Sequence, residues 1–206
     1  MWWQQRLSEF VTLFLVINPF GVLPAFLAIA GTHTASAQRK LALQAVLISF
    51  VVLAFFVIAG AFLLDQLGIP IRAFQISGGI LLFLVALDMV RSQSLTDAPE
   101  TAQSDTALAV YPLAIPKIAE PGSMLTVVLL TDDDRLNPLG QAVTIGVLAL
   151  VLLVTFVILL ASGPISRVIG AAGVSVTSRV MGMLLAALAV AMVLSAVGDW
   201  LGLPKL

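Results

Sequence analysis

The chain has 206 residues, of which 60% are hydrophobic and 10% charged, with a mean hydropathy of +1.11. A soluble domain carries about 25% charged residues to face water, so most of this surface must face lipid. A net charge of −1 excludes a basic nucleic-acid face, the lack of cysteine excludes disulfides and thiolate chemistry, and a single histidine excludes a multi-histidine metal site.

Six apolar runs follow, each near the roughly 20 residues that a membrane-spanning helix needs. They cover residues 10–30, 41–64, 73–90, 107–131, 141–161 and 180–198. The first begins like a signal peptide, with Arg6, an apolar stretch, and Ala28-x-Ala30 before Gly31. Glu9 cancels Arg6, the run exceeds an ordinary signal core, and Asn18-Pro19-Phe20-Gly21 interrupts it, so a retained span is expected. The second, fifth and sixth runs hold no charge and read as plain spanning helices. Residues 31–40, 92–105 and 132–140 are the clearest polar loops. With the N-terminus outside, the inner side holds Arg39, Lys40, Arg91, Arg167 and Arg179. The outer side then holds Arg6, Arg72, Arg135 and Lys205, and five against four favours this orientation.

The chain also repeats itself. Asn18-Pro19 and Glu120-Pro121 lie 102 positions apart, each inside an apolar run. Leu67-Gly68-Ile69-x-Ile71 recurs as Ala172-Gly173-Val174-x-Val176 at a separation of 105. Gly78 with Leu81-Leu82 recurs as Gly182 with Leu185-Ala186 at 104. The expected organisation is one membrane domain with a three-span unit over 1–91, a connecting loop over 92–106, and a second unit over 107–206. An odd number of spans makes the second unit enter from the opposite face, the inverted layout of many secondary transporters. The expected fold class is therefore all-α and polytopic, with six transmembrane helices in two inverted repeats and the first and fourth helices broken.

The breaks come from proline and glycine. Pro19, Gly21 and Pro24 fall near the middle of the first run, and Pro112, Pro116, Pro121 and Gly122 crowd the fourth. Each proline removes an amide and frees a carbonyl, and unpaired backbone is tolerated in a membrane only inside protein or against a wet cavity. Matched broken segments in two halves are the best sequence pointer to a transporter's binding site. A half-helix beginning at Pro19 or Pro121 would aim free amides and the positive end of its dipole at a carboxylate. The carbonyls freed before each break would accept from an ammonium group, so a small zwitterion suits the site. The plainer alternative is a pair of structural kinks.

Asn18, Pro19 and Gly21 would form one side of the site, and Glu120, Pro121, Gly122 and Ser123 the other. Asn18 would cap its half-helix or touch substrate, against the alternative of bonding a neighbouring helix. Lys117 and Glu120 are the charges deep in a span, three residues apart on one helix face. Proton coupling through Glu120, with Lys117, competes with a self-satisfying ion pair. Gly78-Gly79 and Gly182 are expected to let helices pack closely. Asp88 and Arg91 are expected to snorkel at the interface, Arg72 and Arg179 to anchor span ends, and His33 to sit in a solvated loop.

Three motifs stand in order: Asn18-Pro19-Phe20-Gly21-Val22-Leu23-Pro24-Ala25-Phe26, Ile76-Ser77-Gly78-Gly79-Ile80-Leu81-Leu82-Phe83, and Tyr111-Pro112-Leu113-Ala114-Ile115-Pro116 with Pro121-Gly122. Together they resemble the MarC family of integral membrane proteins. Arg179-x-Met181-Gly182-x-x-Leu185 in the last run fits as well. The resemblance implies six spans, a bacterial inner-membrane location, kinship with LysE-like exporters, and in some members transport of glycine and alanine. This chain departs from the family pattern where Lys117 and Glu120 replace an apolar residue and a glycine. The expected function is transport of a small polar solute, a small neutral amino acid first, with no cofactor and no metal. The lipid bilayer and the small-molecule substrate are the expected partners. A narrow channel and a non-transporting scaffold are the alternatives. No nucleophile–base constellation can be assembled, so enzymatic activity is not expected.

Overall fold

The computed structural model describes residues 2–30, 33–91, 108–131 and 138–203, and the described part is helical throughout. Helix α1 covers Trp2–Ile17 and α2 covers Pro19–Ala30, with Asn18 alone between them. Next come α3, Ala35–Gln66, and α4, Ile71–Arg91. A π-type segment, Ala109–Ile118, leads into α5, Pro121–Leu130. The chain ends with α6, Pro138–Leu160, and α7, Ser162–Leu201.

Five helical stretches among the described residues are long and apolar enough to cross a membrane: Trp3–Ala30, Ala35–Gln66, Ile71–Arg91, Pro138–Leu160 and Ala172–Leu201. The expected fourth span is instead the π segment followed by a ten-residue helix. Proline explains the difference. The residue before a proline is pushed out of the α region into extended backbone, and Tyr111, Ile115 and Glu120 all obey, with ψ of 127°, 123° and 163°. Each precedes a proline: Pro112, Pro116 and Pro121.

The lipid-facing pattern is plain on α3. Leu47, Val51, Phe55, Ile58 and Phe62 are each more than half exposed, while Ala45, Ser49, Leu53, Val57 and Gly60 on the other side are buried. Large apolar residues outside, with Ala45, Ser49 and Gly60 among those inside, suit a helix whose outer solvent is hydrocarbon. The expected loop over 31–40 is shorter than its polar composition suggests. Thr34 Oγ1 accepts from the Ala37 amide at 3.4 Å and starts α3 at Ala35, so the second run extends beyond its predicted start. The expected loop over 132–140 likewise ends early, because α6 begins at Pro138. The 92–105 loop lies outside the described residues.

Around the broken segments the other helices form two pairs, α3 against α6 and α4 against α7. The first span is the most buried of the five, with 56% of its central window inside the protein. The main apolar core joins α1, α2, α3, the π segment, α5 and α6. A smaller one joins Val16 of α1 to Leu82 and Ala86 of α4 and Leu185 and Ala189 of α7. The α4–α7 approach depends on glycine, as the packing reading expects. A Cβ on Gly182 would stand 2.9 Å from the Ala86 carbonyl oxygen, and one on Gly79 would stand 3.2 Å from that of Ala189. One departure from a plain sixth helix is the kink at Gly170, whose φ of 69° only glycine adopts readily.

Candidate functional site

Asn18 is the one described non-glycine residue with positive φ, at 48°, a left-handed conformation that asparagine tolerates better than most. The conformation ends α1 and restarts the chain as α2 after a single residue. Its side chain then does two jobs. Oδ1 accepts from the Gly21 amide at 3.1 Å, an N-cap on α2, and Nδ2 donates to the Met89 sulfur of α4 at 3.4 Å. Both readings of Asn18 from sequence are therefore realised in part, as it caps its half-helix and bonds a neighbour.

The second break is built differently. Glu120 occupies the N-cap position of α5 in an extended conformation, with Pro121 opening the helix, yet no side chain caps it. The first-turn amides of a helix have no intrahelical partner, so this end keeps the hydrogen-bonding capacity that Asn18 consumes in α2. Glu120 is 6% exposed, and its Oε1 has no hydrogen-bond partner. Lys117, half-buried, lies within Coulombic reach of Glu120 and also of Asp88 on α4. The expected self-satisfying pair is not closed, since no Lys117–Glu120 contact reaches ion-pair distance among the described residues. Ser123 Oγ donates to the Ile118 carbonyl at 3.2 Å, fastening the helix start to the end of the π segment.

One face of α4 brings the two breaks together. Gly21 sits against Met89, where an added Cβ would lie 2.7 Å from Cε, and Gly122 sits against Leu82, 2.7 Å from Cδ1. Seven residues of α4 separate those contacts, about 10 Å along its axis at 1.5 Å per residue. Pro19 and Gly122 are buried with Asn18, Glu120 and Ser123, whereas Pro121 is exposed and Gly21 half-buried. A cavity of about 60 Å³ lies beside the first break, between Phe20 and Leu23 of α2 and Val174 and Thr177 of α7, with Ile165 closing it. None of the expected site residues lines it.

Sequence reasoning missed three contributors. The Ser49 hydroxyl of α3, which donates to the Ala45 carbonyl at 2.8 Å, also lies 3.4 Å from the Ala114 carbonyl of the π segment. A lone hydroxyl in a strongly apolar run was a usable signal for it. Leu82 and Met89, which touch the second and first breaks, look like ordinary span residues, and only their contacts reveal them.

Comparison with known proteins follows the same line. Residues 3–201 match the family described as MarC family integral membrane protein. Among similar proteins, YvbG of Bacillus subtilis is 34% identical over 89% of this chain and 90% of its own, and is named a membrane protein. YhgN of Escherichia coli, named an inner membrane protein, is 32% identical over 95% of this chain and 97% of its own. A membrane protein of Aquifex aeolicus is 33% identical over 89% and 87%. No solved structure matches the chain.

Proposed function

The chain belongs to the MarC family of integral membrane proteins, and on that premise we propose that it is an inner-membrane transporter of a small polar solute, a small neutral amino acid such as glycine or alanine first. One observation carries the reading. The chain is broken at two places inside the protein, in the first span and ahead of α5, and both breaks abut a single face of α4. Interrupted, buried backbone of this kind is costly in a membrane and is kept where it serves a polar guest.

The inverted-repeat organisation and the sixth span belong to the same proposal. Packing supports them. If α1, α2, α3 and α4 exchange with the π segment, α5, α6 and α7, then α1 on α6 becomes the π segment on α3. In the same way α2 on α6 becomes α5 on α3, and α2 on α7 becomes α5 on α4. All of these pairs occur, and α3–α6 and α4–α7 exchange onto themselves. Gly68 and Gly170, both with positive φ, lie 102 positions apart, the offset of the two breaks.

In this arrangement the uncapped start of α5 takes the solute's carboxylate, while Asn18 and the carbonyls before the breaks meet its ammonium. Glu120 carries the coupling proton. Leu82 and Met89 hold the two breaks apart, so the solute's entry requires α4 to move relative to them. Counterflow of labelled glycine and alanine in proteoliposomes, with and without a pH gradient, tests the reading. Saturable exchange is expected. Absence of exchange for every small amino acid tested removes the substrate assignment, and passage without saturation replaces the carrier with a channel.

A further inference from the structure

A cavity of about 430 Å³ lies away from the two breaks, where α2 ends, α3 begins, α6 ends and α7 begins. Its wall includes Phe26, Leu159 and Leu160, and two exposed arginines line it, Arg39 from α3 and Arg167 from α7. These four helix ends meet at one level of the bundle, so the cavity belongs to one membrane face. The positive-inside count puts both arginines on the inner side, where anionic lipid creates a negative surface potential.

Two features make this more than a pair of snorkelling side chains. Neither arginine has a carboxylate partner among the described residues, although they come from corners of the fold 128 positions apart in sequence. An anion between two like charges that line one concavity is attracted by both. The corner is also held in place. Gln38 Nε2 donates to the carbonyls of Ala30 and His33 at 2.9 and 3.1 Å, tying the end of α2 to the start of α3.

We propose that this cavity binds the phosphate of an anionic phospholipid, held by Arg39 and Arg167, with the lipid's apolar part against Phe26, Leu159 and Leu160. The chemistry follows from the residues. Guanidinium forks match phosphate oxygens in geometry and charge, and the volume falls within the range of small-molecule sites. Apolar side chains beside the cations favour an amphiphile over a free anion. The site is independent of the transport reading and stands or falls separately.

The test uses the full chain in phosphatidylcholine nanodiscs and in lipid-free detergent, titrated with phosphatidylglycerol, phosphatidylcholine or inorganic phosphate. Bound lipid is counted by native mass spectrometry, and melting is followed in parallel. Saturable phosphatidylglycerol binding that weakens with salt is expected, with neither phosphatidylcholine nor phosphate competing. R39Q and R167Q should each weaken it about fivefold, as befits one basic residue at an anionic surface. R39K should lose less than R39Q, while R72Q leaves binding unchanged. Melting of each variant in phosphatidylcholine reports folding. Equal binding of both lipids, or binding indifferent to both arginines, overturns the proposal. Arginine-dependent binding of phosphate alone overturns the lipid source and assigns a soluble anion instead.

Discussion

The side-chain amide of Asn18 lies 3.4 Å from the sulfur of Met89, while its carbonyl oxygen caps the helix that Asn18 itself begins. One residue thus ties the first break to α4 and supplies the hydrogen bond that lets α2 start after a single non-helical step. The second break has no such tie. Glu120 leaves α5 uncapped and its own Oε1 unpartnered, so the two halves are matched in position and opposite in hydrogen-bond state.

That asymmetry makes Asn18 separable into two roles. Asn18→Ala removes the cap, at about 1 kcal/mol, and forces alanine into a left-handed conformation, at roughly 1–2 kcal/mol more. Asn18→Gly accepts the conformation and loses only a few tenths of a kcal/mol of capping. Melting in a mild detergent should therefore rank wild type and Asn18→Gly close together and Asn18→Ala well below. Counterflow should fall in both variants. A glycine variant with wild-type exchange would show that the amide serves the fold alone.

Close packing at the second break predicts a different signature. A Cβ on Gly122 meets Leu82 at 2.7 Å, whereas one on Gly146 meets nothing within 4 Å. Gly122→Ala should displace α4 or α5 and lower exchange at least tenfold, with melting reduced by the strain of overpacking, about 1–3 kcal/mol. Gly146→Ala should leave exchange unchanged and raise stability by up to about 1 kcal/mol, since alanine suits a helix better than glycine. Equal exchange in the two variants would detach the Leu82–Gly122 contact from function.

Glu120 is the buried carboxylate nearest the uncapped helix start, and its neutral isostere isolates the proton. Glu120→Gln keeps the volume and fixes the charge at zero across the pH range. Counterflow of glycine should persist in this variant while its dependence on a pH gradient disappears. If the variant responds to the gradient as the wild type does, Glu120 does not carry the proton. Lys117→Gln, tested beside it, should shift the pH profile without flattening it, because the Coulombic partner is lost but the titrating group remains.

Much of this was legible in the sequence, for reasons that differ by element. Five of the six apolar runs read correctly as helices long enough to cross, because hydrocarbon leaves little ambiguity about what a run of about 20 such residues does, and Asn18-Pro19 and Glu120-Pro121 marked both breaks. The internal form of the second break was not legible as a single kink. Three X-Pro steps within eleven residues each force an extended residue, so the run became a π segment and a short helix. The turn-and-glycine motif around Gly68 pointed to Gly173, but the positive φ falls on Gly170, because composition shows where glycine stands and only backbone geometry shows which one turns. Residues that merely touch the site, Leu82 and Met89, carry no chemical mark in an apolar span.

Gly170 gives its own prediction. An added Cβ there meets nothing within 4 Å, so its φ of 69° is the whole cost of replacing it. With ψ at 170° the residue lies in a region that is essentially glycine's alone, so Gly170→Ala and Gly170→Asn should each destabilise the protein by about 1–3 kcal/mol. Gly163→Ala, also in open space but without positive φ, is the neutral comparison. Equal melting of the alanine variants at 163 and 170 would mean that α7 runs straight through.

The broken fourth segment leaves a question of parity that the absence of cysteine makes easy to settle. If the π segment and α5 together cross the membrane, the number of crossings is even and both chain ends lie on one side. If they enter and return on the same face, α6 and α7 reverse and the ends lie on opposite sides. Single cysteines at Gln4, Ser36, Gln66, Gly163 and Leu203 can each be labelled on intact cells with a membrane-impermeant maleimide. Even crossings with an outside N-terminus predict reaction at positions 4, 66 and 203 and protection at 36 and 163 until the membrane is opened. Arg39 and Arg167 then share the protected face, as their common cavity requires. Reaction at 4 with protection at 203 would make the second half a re-entrant unit and end the inverted-repeat account, because an exchange of halves needs three crossings in each.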